Sequence, residues 1–341
     1  MGCVLSAGIG QAPARQASLG AGIPVAADCT TVNKMCGSGM KTTMLAHDLL
    51  LAETNEIMVA GGMESMTNTP YILQKARSGQ RLGHGQMTDH MFLDGLEDAF
   101  DKGTLMGVFA ERTAKKYGFS REAQDEFAIR SLTRAKKAIE DGSFKNEVTP
   151  VSYKNRKEET LVELDEQPLT ANIDKIPNLR PAFEKDGTVT AANSSSISDG
   201  AAALVMMRES TAKKSGFKPI ARFLGHSSFA QAPEWFTTAP VGAIKGVLKT
   251  VDWNVDDVEL FEINEAFAVV TMAAMNDLDL PAEKVNVHGG ACALGHPVGA
   301  SGTRILVTLI SALQKYGKTR GVASLCIGGG EATAMAVEVL S

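Results

Sequence analysis

Four side chains in this sequence could do chemistry together: Cys36, His296, Cys326 and Asn264. Each stands at a turn built from small residues. Cys36 lies in TVNKMCGSGMKTT, residues 31–43, ahead of a stretch from Met40 to Leu51 that reads as a helix. A thiol at a helix entrance meets unpaired N–H groups and the positive end of the dipole, which favour a thiolate and lower its pKa. A small apolar residue packed at a helix–strand contact is the other reading of the same position. His296 lies in GGACALGHPVGASG, residues 289–302, between Gly295 and Pro297. The glycines leave its imidazole accessible as a base, although a histidine in an apolar loop can also be a hydrogen-bonded core residue. Cys326 lies in SLCIGGGEA, residues 324–332, where a buried strand runs into three glycines. Backbone bare of side chains can aim N–H groups at an oxyanion. Asn264, in EINEAFA, residues 262–268, sits at a strand-to-helix turn. Its amide could cap the helix or hold a water.

The bulk numbers bound what such a constellation can serve. The chain has 341 residues, enough for two or three domains, and 44% hydrophobic and 21% charged residues, as in soluble globular proteins. A net charge of −5 and only 6% aromatics argue against a nucleic-acid surface. The five cysteines are odd in number and none shows CxxC spacing, which points away from a disulfide framework or zinc knuckle and toward the reducing cytoplasm. No apolar run is long enough to span a bilayer. There is no GxxxxGK[ST] loop, GIGQAP lacks the third glycine of a dinucleotide fingerprint, and neither HExxH nor an EF-hand loop occurs. The expectation is therefore no metal and no nicotinamide.

The elements that must position the four side chains read as α/β. VNKM is a strand end, MKTTMLAHDLLLA a helix, and EIMVAGG a buried strand ending in glycines. From Thr67 to about Ala191 the texture changes to charged amphipathic helices and Pro- and Lys-rich segments, an inserted loop domain. Its REAQDEFAIRSLTRAKKAIEDG helix is bounded by Gly118 and Ser120 before it and Gly142 after it. Buried texture returns in SDGAAALVMM, VELFEINEAF and GVASLCIGGG. A thin internal repeat aligns Ser38-Gly39 with Ser301-Gly302 and Gly61-Gly62 with Gly328-Gly329, suggesting duplicated units.

These motifs, with VAGGMESM and LRPAFEKDGTVTAANSS, resemble the thiolases: acetyl-CoA C-acetyltransferases and 3-ketoacyl-CoA thiolases. The likeness runs over essentially the whole chain. Ketoacyl synthases share the nucleophilic cysteine but lack the second one, and sterol-carrier-type thiolases carry a histidine motif where this chain reads Asn264-Glu265-Ala266-Phe267. The resemblance implies two α/β halves with mixed five-stranded sheets in a layered α-β-α-β-α arrangement, plus the loop domain. It divides the chain into residues 1–65 with 195–220, residues 66–194 over the CoA site, and residues 221–341. It implies ping-pong acyl transfer, either condensing two acetyl-CoA or cleaving 3-ketoacyl-CoA, with CoA thioesters as substrates, no other cofactor, and a homodimer or homotetramer. Cys36 would be the nucleophile, His296 its base, and Cys326 the acid/base at the α-carbon. Asn264 and His296 would form one oxyanion hole, and the N–H groups of Cys36 and Gly328 the other. Ser195 would contact the pantetheine arm and Phe267 line its tunnel. Leu105 and Met106 would flank the acyl pocket.

Three departures set further expectations. Leu105-Met106-Gly107 replaces His-Met-Gly, making the pocket more apolar and leaving chain-length preference open. Pro168 cannot supply the arginine contact that some relatives make near the CoA phosphates. The resemblance implies that roughly fifty opening residues of a family member are missing, among them a first strand that lies centrally in the N-terminal sheet, so a gap or a rearranged pairing is expected beside the strand containing Val32. This leaves a second reading open, a catalytically impaired CoA-binding or interaction protein.

Overall fold

The computed structural model describes residues 1–154 and 158–340, so three residues of the expected loop domain and the last residue lie outside the description. The elements that position the site are α1 (Ser38–Leu51), β1 (Ile57–Ser65), α2 (Met106–Tyr117), α3 (Arg121–Glu140), β2 (Asp199–Met207) and β3 (Ala221–Ala230). They continue with α4 (Ala239–Thr250), β4 (Leu260–Ile263), α5 (Ala268–Leu278), α6 (Ser301–Lys315), β5 (Arg320–Ile327) and β6 (Glu331–Val339). No described helix is long and apolar enough to cross a membrane.

The C-terminal sheet runs β3-β6-β5-β4. β4 lies parallel to β5, β6 is antiparallel to both neighbours, and Val285 bridges Phe261 at the position of a fifth strand. β4 is buried throughout and β5 from its second residue onward, as parallel strands covered on both faces must be. Phe261, Ile263 and Val322 pack there against Ile244 and Val247 of α4.

The N-terminal half repeats this order. β1 pairs antiparallel with β2, Gly61 opposite Ala203. On the other edge of β1, Gly2 donates to Gly61 O at 2.7 Å and accepts from Met63 N at 2.9 Å. The same short segment is bound to Val32 on its far side, through Cys3 N to Val32 O (3.1 Å) and Val32 N to Met1 O (2.9 Å). Val32, Met1–Cys3, β1 and β2 thus correspond to Val285, β4, β5 and β6. No gap lies beside Val32, and the expectation of a central first strand is corrected. In the C-terminal half the first strand, β3, lies at the edge outside β6. The equivalent edge in the N-terminal half is the outer side of β2, which pairs with no further strand among the described residues. SDGAAALVMM, expected to be buried, accordingly alternates, with every second residue from Asp199 to Val205 exposed.

The halves meet where α1 crosses α6. A Cβ on Gly302 would fall 2.3 Å from Met40 N, and one on Gly39 would fall 2.9 Å from Thr303 N, so the backbones touch. Thr303 Oγ1 donates to Gly39 O across the crossing at 2.8 Å. A second close approach joins β1 to the His296 loop: a Cβ on Gly62 would lie 1.9 Å from Gly299 O. Neither backbone can yield, because Glu64 two residues on accepts from Gly299 N (2.9 Å). Gly62→Ala is expected to destabilise the protein by at least the ~1–3 kcal/mol of ordinary overpacking. A thermal melt followed by circular dichroism checks this, and an unchanged Tm would refute it.

The charged helix of the loop region forms as read. Ser120 caps α3 by accepting from Ala123 N (3.2 Å), and Gly118 and Gly142 take φ of 68° and 73°.

Candidate active site

Cys36 is held one residue before the N-cap of α1. Met35 takes a φ of 46°, and Ser38 closes the turn by donating to Met35 O (2.6 Å) while accepting from Lys34 N (2.8 Å). That turn starts α1 at Ser38, two residues before the sequence suggested. A Cβ at Gly37 would strike the Ile327 side chain at 2.4 Å, so the residue after Cys36 lies against the residue after Cys326. The N–H groups of Gly328 and of Cys36 itself are directed at the Cys36 sulfur. Cys36 also packs in one apolar cluster with Val298, two residues beyond His296.

The expected depression of the Cys36 thiol is overturned. Burial is the largest influence and pushes it up to about 11, with the Glu64 carboxylate adding to the rise. The two N–H groups oppose this without prevailing. Cys36 keeps part of its surface exposed, yet the desolvation of its sulfur outweighs a helix terminus, which is worth at most ~2 kcal/mol, or about 1.5 pKa units. Cys326, at the end of β5, is driven well above its ordinary value by burial first and the nearby Cys36 second. Both resting thiols are therefore protonated.

His296 is buried, and its tautomer follows from its neighbours. Ser301 Oγ gives its one proton to Pro297 O (3.0 Å), so it accepts from His296 Nδ1 (2.5 Å). The lone pair is then on Nε2, which faces Asn264 Nδ2 at 3.5 Å. Burial, then Arg304, lowers His296 to about 3, so the ring is a neutral base at working pH.

Asn264 directly follows β4, and its N–H donates to Ser324 O of β5 (3.0 Å). It caps nothing, because α5 begins at Ala268 with Phe267 at its N-cap. Its Oδ1 is buried without a partner, the mark of an atom kept for something that enters the site. Ser195 N donates to Ala266 O (3.0 Å), and the neighbouring Ser194 bridges Phe267, so the NSSS loop and the NEAF loop form one wall. Phe267 stands edge-to-face on Phe183, 6.0 Å between centroids, and packs with Met106 and Cys326.

A cleft of about 350 Å³ opens over Gly328, lined by Met106, Ile327 and the Lys34–Glu331 ion pair among others. Met106 reaches this cleft. Leu105 is not among its lining residues; it is the N-cap of α2 and bridges Glu97.

Sequence reading missed the supports. Glu64 is buried and accepts from Val4 N (2.9 Å), Leu5 N (3.0 Å) and Gly299 N, fastening three segments around Cys36. Glu265, also buried, accepts from Ser131 Oγ (2.7 Å), Asn286 Nδ2 (2.8 Å) and Cys292 N (3.1 Å), fixing the loop that carries Asn264. For Glu64 a carboxylate inside an otherwise apolar strand was the available signal, and for Glu265 a carboxylate beside Asn264 in a buried loop.

Comparison with known proteins bears directly on this geometry. Residues 1–210 match the family described as "Thiolase, N-terminal domain", and residues 217–339 match "Thiolase, C-terminal domain". The chain belongs to the thiolase family. It is 48% identical to an acetyl-CoA acetyltransferase of Thiocystis violacea, over all of this chain and 86% of that one. It is 47% identical to acetyl-CoA acetyltransferase IA of Candida tropicalis, over 99% of this chain and 84% of the relative. The crystal structure of the Bacillus anthracis acetyl-CoA acetyltransferase superposes with a TM-score of 0.96 at 42% identity, covering 100% of this chain and 86% of the other. A thiolase of Ascaris suum in complex with coenzyme A gives 0.93 at 42% identity, covering 99% and 86%. The thiolase fold and the duplicated α/β halves are thereby established, and the chain is an acyltransferase acting on acyl-CoA thioesters.

Proposed function

We propose that this thiolase works through an acyl-Cys36 intermediate, with His296, Cys326, Asn264 and Gly328 in the roles the geometry allows. The convergence of two protonated thiols, a neutral imidazole with its lone pair on Nε2, and an unpartnered buried amide oxygen carries the reading. In the cleavage direction Cys36 attacks the 3-keto carbon as its proton passes to His296, and the developing alkoxide charge is met by preorganised donors. The Cα–Cβ bond breaks, its electron pair goes to the departing acetyl-CoA, and Cys326 supplies the proton. Coenzyme A then attacks the acyl-Cys36 bond. Its thiol proton restores Cys326, and the His296 proton returns to the Cys36 sulfur. Condensation of two acetyl-CoA is the same path reversed. The N–H groups of Cys36 and Gly328 serve one oxyanion, and Asn264, through a water, serves the other with His296.

Ser195 and Phe267 line the pantetheine path and Met106 the acyl end, while Leu105 acts through the placement of α2. Acetyl-CoA, CoA and acetoacetyl- or longer 3-ketoacyl-CoA are the substrates, with no further cofactor required by this chemistry. Five free cysteines support a reducing, cytoplasmic setting, and a homodimer or homotetramer is the assembly we favour.

Brief incubation with isotopically labelled acetyl-CoA, followed by digestion and mass spectrometry, is expected to place one acetyl group on the Cys36 peptide. Label on Cys326 alone, or none on either thiol, would remove Cys36 as the nucleophile.

A further inference from the structure

Away from the thiols, one group of described side chains brings three metal-ligating atoms together: His47, Asp48 and His226. His47 and Asp48 are neighbours near the C-terminal end of α1, about 14 Å along the helix from Ser38. His226 projects from β3 in the other half. One atom from each side chain lies within 4.8 Å of the other two. His226 Nε2 is 2.8 Å from Asp48 Oδ1, and His47 Nδ1 is 3.6 Å from the same oxygen. The rings meet edge-to-face, 5.3 Å between centroids. His47 Nδ1 is buried and has no hydrogen-bond partner.

We propose that His47, Asp48 and His226 form a binding site for a divalent transition-metal ion of the zinc class, clamping α1 of the N-terminal half to β3 of the C-terminal half. Two imidazoles and a carboxylate are the donor set that zinc, cobalt and nickel share. A tetrahedral ion with bonds of about 2.0–2.1 Å holds neighbouring donors about 3.4 Å apart. The observed 2.8 and 3.6 Å bracket that spacing, so small side-chain shifts complete the site. A simple His226–Asp48 hydrogen bond accounts for two of the three groups and leaves His47 Nδ1 unexplained; a shared ion uses all three. Its side chain half exposed, Asp48 leaves room for solvent at the remaining coordination position. Motif scanning cannot find this site, since Asp48 and His226 are 178 residues apart in the chain.

The test is to titrate the EDTA-treated full-length protein with Co²⁺, reading d–d absorption and Tm. We expect one equivalent bound with nitrogen and oxygen ligation, no sulfur-to-cobalt charge-transfer band, and an upward shift in Tm. His226→Gln and His47→Gln should each weaken binding at least about tenfold and remove the shift in Tm. Asp48→Asn, at an exposed position, provides a third variant whose fold is not in question. Absence of binding up to about 1 mM Co²⁺ would overturn the proposal. So would a sulfur charge-transfer band showing that the ion prefers the thiols, or wild-type affinity retained in Asp48→Asn and the two histidine variants.

Discussion

Cys326→Ala is expected to acetylate at Cys36 and to stall there. Acyl transfer from acetyl-CoA relies on Cys36, His296 and the N–H pair of Cys36 and Gly328; Cys326 there only hands a proton to the departing CoA sulfur, which can leave as a thiolate and take its proton from solvent. Making or breaking the carbon–carbon bond needs a proton moved at the α-carbon, and a positioned acid/base contributes about a hundredfold to ten-thousandfold. Turnover should fall by that factor while single-turnover acetylation of Cys36 persists. Cys326 packs among Phe109, Val270 and Phe267, so losing its sulfur leaves a small apolar void and does not unfold the site. The two half-reactions are separated by quench-flow acetylation and by steady-state thiolysis of acetoacetyl-CoA. Equal loss in both would mean that Cys326 serves the first half-reaction too, and the division of roles would be wrong.

The second large effect concerns Cys36 itself. With its thiol near 11 against an ordinary 9.0, about 1 in 10⁴ molecules carries the thiolate at pH 7, a hundredfold fewer than an unperturbed thiol. Iodoacetamide should therefore alkylate Cys36 slowly at neutral pH, with a rate rising about tenfold per pH unit through pH 9.5. The sign is fixed by the acid: raising its pKa moves reactivity to higher pH. Cys29 is an internal control, because a hydrogen bond from Ser18, and Arg15 after it, lower that thiol. Its peptide should be modified first. The opposite order, with a rate at Cys36 flat from pH 6 to 9, would mean that a resting thiolate–imidazolium pair exists and that burial does not dominate. Slow alkylation and fast acylation are compatible, because His296 needs to take the proton only as substrate arrives.

Three of the four chemical side chains were legible because glycines stand close to them, and a sequence displays glycine directly: Gly37 and Gly295 let Ile327 and Ser198 come close, and Gly328 leaves its surroundings open. The charged helix of the loop region was legible for a similar reason, its Ser120 cap and Gly142 stop being local signals. Charge state was not legible. The helix end beside Cys36 is written in the sequence, but its desolvation arises from Val4, Leu5, Met66 and Val298, which come from three separate segments. Glu64 and Glu265 were passed over because their partners are backbone N–H groups and side chains brought in by the fold. Strand order was misjudged because pairing in a sheet is non-local. Only the C-terminal half, with β3 outside β6, reveals which strand stands at the edge.

The crossing of α1 and α6 has a bearing on how activity is lost. Cys36 belongs to the N-terminal half, whereas Asn264, His296 and Cys326 all belong to the C-terminal half, and backbone contact at Gly39 and Gly302 holds the two sets in register. Neither half is a diluted enzyme; each alone has no reaction to perform. Catalysis in this molecule is consequently a reporter of assembly: it switches off when the seam between the halves opens, while most of each half's secondary structure is still intact.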